Sequence, residues 1–125
     1  LQKSDFSKNG GLIQQHISNI AEVTQALKYA DLLRSADLIF LDGAKNGKDE
    51  EMFLNNLADL DLCRSEDGTS LYNSAKKGPL VLLDDIRIPN MLATWRRITL
   101  AKMDITSIGH WFGTGIIDWC VTRLP

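Results

Sequence analysis

Two short apolar runs constrain this chain more than anything else in it. Residues 36–43 read Ala-Asp-Leu-Ile-Phe-Leu-Asp-Gly and residues 80–85 read Leu-Val-Leu-Leu-Asp-Asp. Each is a short unbroken apolar stretch that ends abruptly in acid, which fits a strand buried on both faces. A helical pattern follows each one. After the first, Asp49-Glu50-Glu51 complements the positive end of a helix whose buried stripe is Phe53, Leu54, Leu57 and Leu60. After the second, Pro89 suits a first helical turn, where its missing N–H has no intrahelical partner to lose, and Met91, Leu92, Trp95 and Ile98 fall at helical spacing. Two strands each followed by a helix imply parallel pairing with right-handed crossovers, and so an α/β fold.

The rest of the chain is read around these two units. Asn19 stands three residues before Glu22 and ahead of Val23, Leu27, Ala30 and Leu33, capping-box-like chemistry that predicts a helix over residues 20–35. Residues 1–11 are polar and end in an Asn-Gly-Gly turn signal, and residues 12–17 are a candidate short strand. Residues 63–78 read as a long surface connection with one helical turn over 71–75. Residues 106–111 and 115–121 flank Phe112-Gly113-Thr114 at a spacing that suggests an antiparallel hairpin closing the sheet. Trp95, Trp111 and Trp119 are expected in the core. With 125 residues and 44% hydrophobic composition, a single domain over residues 1–125 is expected.

Charge and cysteines bound the partners. Fourteen basic against sixteen acidic residues offer no electrostatic basis for holding a nucleic-acid backbone. The pairs Lys76-Lys77 and Arg96-Arg97 read as solvated faces. No apolar run approaches the ~18 residues of a membrane span, and the first twenty residues are too polar for a signal peptide. Cys63 and Cys120 carry no ligand spacing and read as reduced thiols, which points to a cytoplasmic, soluble protein with no membrane partner.

The chemistry concentrates at the strand ends. In an open parallel sheet, ligands bind outside the carboxyl ends of the strands, where Asp42, Asp84 and Asp85 all fall. If the two strands are neighbours, about 5 Å apart, the three carboxylates converge on one point, and such oxygens suit a hard divalent cation such as Mg²⁺. Lys45, three residues past Asp42, reaches the same crevice as a base or charge partner if its pKa is lowered, and otherwise is a solvated loop lysine. An acid at a strand exit also caps a helix or turn, and Asp42-Gly43 reads as a turn on that alternative. His16 and His110 have no partner at metal-ligand spacing and stay unassigned. Gly109, Gly113 and Gly115 precede a strand rather than a helix, so they are hairpin glycines and not a phosphate loop.

The run from Asp37 through Lys45, the segment Leu82-Leu83-Asp84-Asp85-Ile86 and the segment Gly109-His110-Trp111-Phe112-Gly113-Thr114-Gly115 together resemble the C-terminal half of class I S-adenosylmethionine-dependent methyltransferases. The resemblance covers most of residues 12–121. It implies a partial Rossmann-like sheet: parallel strands with flanking helices and a C-terminal antiparallel hairpin. In the metal-dependent small-molecule O-methyltransferases of that family, Mg²⁺ is held by an Asp at the exit of the fourth strand and an acid-amide pair at the exit of the fifth, places matched by Asp42, Asp84 and Asp85. Asp85 stands where Asn is common. A lysine three residues after the first acid serves as general base in catechol-type members, and Lys45 holds that spacing. The implied reaction is metal-assisted deprotonation of a small-molecule hydroxyl and its attack on the sulfonium methyl.

The family holds its cofactor mainly through a Gly-rich loop after its first strand, a segment these 125 residues do not contain. The remaining cofactor contacts implied for this chain lie at Asn19 and Ile20, and the chain alone is expected to bind S-adenosylmethionine poorly. The strand around residues 38–41 is then left with an exposed apolar edge, which is expected to pair with another copy or another segment. The alternative to an enzyme is therefore a non-catalytic α/β module that associates through this edge.

Overall fold

The computed structural model describes residues 13–65 and 76–122. In chain order the elements are α1 (Val23–Lys28), α2 (Ala30–Ser35), β1 (Leu38–Leu41), α3 (Lys48–Asp59), β2 (Arg64–Ser65), β3 (Lys76–Lys77), β4 (Leu80–Asp84), α4 (Pro89–Arg97), β5 (Leu100–Asp104) and β6 (Thr114–Thr122). The fold is α/β, and both apolar runs are strands. They lie side by side and parallel, with Leu38 opposite Leu80 and Leu41 opposite Leu83. The four-stranded sheet has the order β1-β4-β6-β5, and β6 runs antiparallel to both neighbours, so the sheet is mixed and not wholly parallel.

Side-chain alternation decides which face of the sheet is covered. Ile39 and Leu41 of β1, Val81 and Leu83 of β4, and Ile117 and Trp119 of β6 point to one face, where they meet Phe53, Leu54, Leu57, Met91 and Trp95 in a single apolar cluster. The helical stripes expected after each strand are thus the inner faces of α3 and α4. Burying a side chain such as Phe53 or Leu57 contributes roughly 1.5–3 kcal/mol. Gly115 is required for this packing: a Cβ there would lie 2.5 Å from the Trp95 ring. Thr94 Oγ1 donates to the carbonyl of Gly47 (3.0 Å), linking the buried side of α4 to the start of α3.

Among the described residues the opposite face is open, contrary to the expectation of strands buried on both sides. Phe40, Leu82, Ile116 and Met103 form one cross-strand row over all four strands. Phe40 is 59% exposed, Met103 62%, and Leu38 and Leu80 in the next row 54% and 41%. Among the described residues β1 has β4 as its one strand partner, so its outer edge is also free.

Four further expectations, on three elements and on the cysteines, are corrected. Residues 13–17 form no strand, and residue 12 lies outside the described residues. The helix expected over 20–35 is two short helices, interrupted where the N–H of Tyr29 reaches back three residues to Ala26 O (3.1 Å) and its ring packs on His16 at 5.0 Å. Asn19 and Glu22 do bond to each other (3.2 Å), but α1 begins after them.

The closing strand pair is displaced. Its first member is β5, not residues 106–111, which form a turn started by the Asp104 side chain accepting from the Thr106 N–H (2.9 Å) and continued by the Gly109 N–H on Ile105 O (2.9 Å). The surface connection contains a two-stranded antiparallel pairing, with Arg64 opposite Lys77, while the helical turn expected over 71–75 and residues 1–11 fall outside the described residues.

The cysteines are the fourth correction. Cys63, after α3, and Cys120, in β6, are joined in a disulfide with their Cα atoms 5.5 Å apart. They are 57 positions apart in sequence, and only the sheet brings them together. The inference of a reducing compartment rested on free thiols and loses that basis. Among the described residues no helix is long and apolar enough to cross a membrane. Of the three tryptophans, Trp95 and Trp119 are core, whereas Trp111 is 89% exposed.

Candidate functional site

Because Leu41 is opposite Leu83, the residues that follow, Asp42 and Asp84, leave the sheet side by side. Asp85 then adopts a left-handed conformation (φ 56°), which turns its carboxylate inward until the side chain is 3% exposed. Lys45 is also left-handed (φ 59°). Such backbone costs about 1–3 kcal/mol per residue and persists only where its surroundings fix it.

For Lys45 the fixing group is Glu50. Its buried carboxylate accepts from the backbone N–H of Lys45 (2.6 Å) and of Gly47 (2.8 Å), so the charge is met by two donors at the positive end of α3. Gly47 takes φ 78°, a conformation that glycine adopts without strain. Asn46 Oδ1 accepts from the N–H groups of Lys48 (2.8 Å) and Asp49 (2.9 Å), capping the helix. Residues 42–47 are thus a tied loop.

The tied loop brings the lysine into the middle of the acids. Lys45 Nζ lies 3.4 Å from Asp42 Oδ1, 3.8 Å from Asp84 Oδ2, and pairs directly with Asp85 Oδ2. The hydrogen bond to Asp85 is the largest cause of a pKa raised above the ordinary 10.5; partial burial opposes it, and Asp42 adds to it. In this state Lys45 is a held ammonium ion and not a free base.

A fifth group enters from the loop between β5 and β6, at the same end of the sheet. His110 Nε2 contacts Asp84 Oδ1 directly and lies 3.6 Å from Asp85 Oδ1. Donor atoms of Asp84, Asp85 and His110 lie within 4.8 Å of one another, a grouping able to hold a metal ion. The structure therefore unites Asp84 and Asp85 as expected, supplies His110 as the third donor at ligand spacing, and joins Asp42 to them through Lys45.

Asn19 and Ile20 sit just ahead of α1 with their polar atoms engaged inside the chain. Asn19 Oδ1 accepts from the Ala21 N–H (3.2 Å), its amide donates to Glu22, and Ile20 O accepts from Asn56 (3.1 Å). A separate cleft of about 360 Å³, lined by Leu54, Thr94, Arg97, Leu100 and Trp119 among others, shares no residue with the acidic site.

Two residues of the candidate site were not legible beforehand. His110 is 26 positions from Asp84, so no local spacing could announce it. Glu50 looked like one of three acids at a helix start, and only the left-handed turn before it explains why it is buried. No protein-family model, curated protein or solved structure matches the chain.

Proposed function

We propose that this chain is the acceptor-side portion of a class I S-adenosylmethionine-dependent methyltransferase domain, serving O-methyl transfer to a small molecule. The observation that carries the reading is the meeting of Asp42, Lys45, Asp84 and Asp85 at the ends of two parallel strands, with Lys45 Nζ within 3.8 Å of all three carboxylates. The ammonium ion stands where a cation is wanted, and the donor set of paired carboxylates fits a divalent ion such as Mg²⁺. Asp84 and Asp85 would hold it, with Asp42 beside them. A bound divalent ion supplies orientation and acidification of the acceptor hydroxyl.

The chain's own residues do the rest on the acceptor side. Asp85 and Asp42 now keep the Lys45 proton in place. A divalent cation on those carboxylates would remove the attraction that raises the Lys45 pKa and add a nearby positive charge that lowers it, and Lys45 would release its own proton to solvent before its amine could accept the proton of the hydroxyl. Asn19 and Ile20 are committed to bonds within the chain, so the transfer itself depends on cofactor contacts from elsewhere.

Isothermal titration with S-adenosylmethionine tests the reading, on the 125-residue chain and on a version that includes any in-frame sequence encoded before Leu1. The expected outcome is binding by the longer version, with methyl transfer that Asp84→Ala abolishes. A longer version that binds no cofactor contradicts it.

A second reading is favoured by the open sheet face. Among the described residues Phe40, Leu80 and Met103 are exposed together and β1 has a free edge, features that suit a non-catalytic module associating with a second copy of itself. Light scattering over a concentration series distinguishes this reading, since a strict monomer at all concentrations counts against it.

A further inference from the structure

His110 reaches the acid pair from a turn that the backbone pins in place. The Gly113 N–H donates to His110 O (2.9 Å), closing the turn. That turn is bonded to the segment just after Asp85: the Arg87 N–H donates to Phe112 O (2.9 Å) and the Ile86 N–H to Gly113 O (3.3 Å). Main-chain hydrogen bonds between two loops therefore hold the His110 backbone beside the two carboxylates, and its side chain carries Nε2 to them.

The donor geometry also fits an ion. Nitrogen and oxygen ligands bind transition ions at about 2.0–2.2 Å, so one ion spans donors up to roughly 4 Å apart. The 3.6 Å from His110 Nε2 to Asp85 Oδ1 falls inside that span, and the donor atoms of Asp84, Asp85 and His110 all lie within 4.8 Å of one another. Asp84 and Asp85 are enclosed while His110 and Lys45 are half-exposed, so Lys45 can swing outward to admit an ion.

Donor identity then decides which ion. Mg²⁺ seeks an all-oxygen octahedron, whereas imidazole nitrogen favours first-row transition ions. We infer that His110 is a direct metal ligand, forming with Asp84 and Asp85 a three-donor centre selective for a divalent transition ion such as Mn²⁺ or Co²⁺ over Mg²⁺. This rests on the reading of the strand-end acids as a metal site. It differs in assigning a nitrogen donor and a preference for a different class of ion.

The test uses the 125-residue chain, Mn²⁺ and Mg²⁺ as chlorides, and electron paramagnetic resonance of bound Mn²⁺, with His110→Ala and His110→Gln compared by circular dichroism for retained fold. Mn²⁺ is expected to bind at least ~10-fold more tightly than Mg²⁺ and to show electron-spin-echo modulation from an imidazole ¹⁴N. Both variants are expected to lose that modulation and ~10–100-fold in Mn²⁺ affinity. Mn²⁺ bound without nitrogen coupling, or coupling and affinity unchanged in a folded variant, overturns the role of His110 and leaves the acids as an oxygen-only site. Failure of the wild-type chain to bind either ion overturns the metal reading beneath it as well.

Discussion

Lys45 and Glu50 show how much of this site depends on single side chains. The Lys45 pKa lies above 10.5, chiefly through its hydrogen bond to Asp85. A cation whose folded pKa is raised stabilises the fold fully below its unfolded pKa and loses that contribution as pH rises through the folded value. Titration of the Lys45 ε-carbon by NMR in metal-free buffer should thus give a midpoint above that of a free lysine, and Asp85→Asn should bring it down. A Lys45 midpoint unmoved by Asp85→Asn would show that the two do not interact in solution. Glu50→Ala leaves the Lys45 and Gly47 N–H groups without their acceptor, and unsatisfied buried donors cost about 1–3 kcal/mol each. Urea denaturation should show a loss of at least that order, whereas a loss under ~0.5 kcal/mol would mean the loop is held by other bonds.

At the scale of elements, what the sequence disclosed followed the strength of local pattern. β1, β4, α3 and α4 were legible because apolar runs and helical stripes are local signals, and the core contacts of Phe53, Leu57, Met91 and Trp95 agree with them. β5 was not. Leu-Ala-Lys-Met-Asp has weak β character, and it is a strand because β6 offers it a partner. Residues 106–111 carry the better β residues, yet side-chain capping by Asp104 turns the chain there. The acid rim was legible because it follows from parallel register, whereas His110 and the disulfide depend on contacts far apart in sequence.

That disulfide carries a prediction at the same scale. Closing a loop of this length stabilises a fold by about 2–4 kcal/mol. Reduction should lower the melting temperature by several degrees, and an unchanged melting curve under reductant would argue against the Cys63–Cys120 link.

At the scale of the whole molecule, the described residues form two layers, helices on one side of a mixed sheet. Helices α3 and α4 cover one face of a mixed sheet, and the other carries the apolar row Phe40, Leu82, Ile116 and Met103 with no helix across it among the described residues. α/β sheets ordinarily cover both faces, so this surface favours association. Phe40→Ser with Met103→Ser should reduce any self-association seen by sedimentation and leave the strand-end site intact. The site itself is confined to one end of that sheet, where three loops meet: residues 42–47, 84–87 and 110–113.

Whether those loops form one cation site is the central claim, and sub-stoichiometric Mn²⁺ added to the amide NMR spectrum of the 125-residue chain tests it most directly. The account predicts selective broadening of amides in residues 42–47, 84–87 and 110–113, removed by Asp84→Ala combined with Asp85→Ala. Broadening centred instead on Asp49 and Glu51 at the start of α3, or spread evenly over the acidic surface, would contradict it.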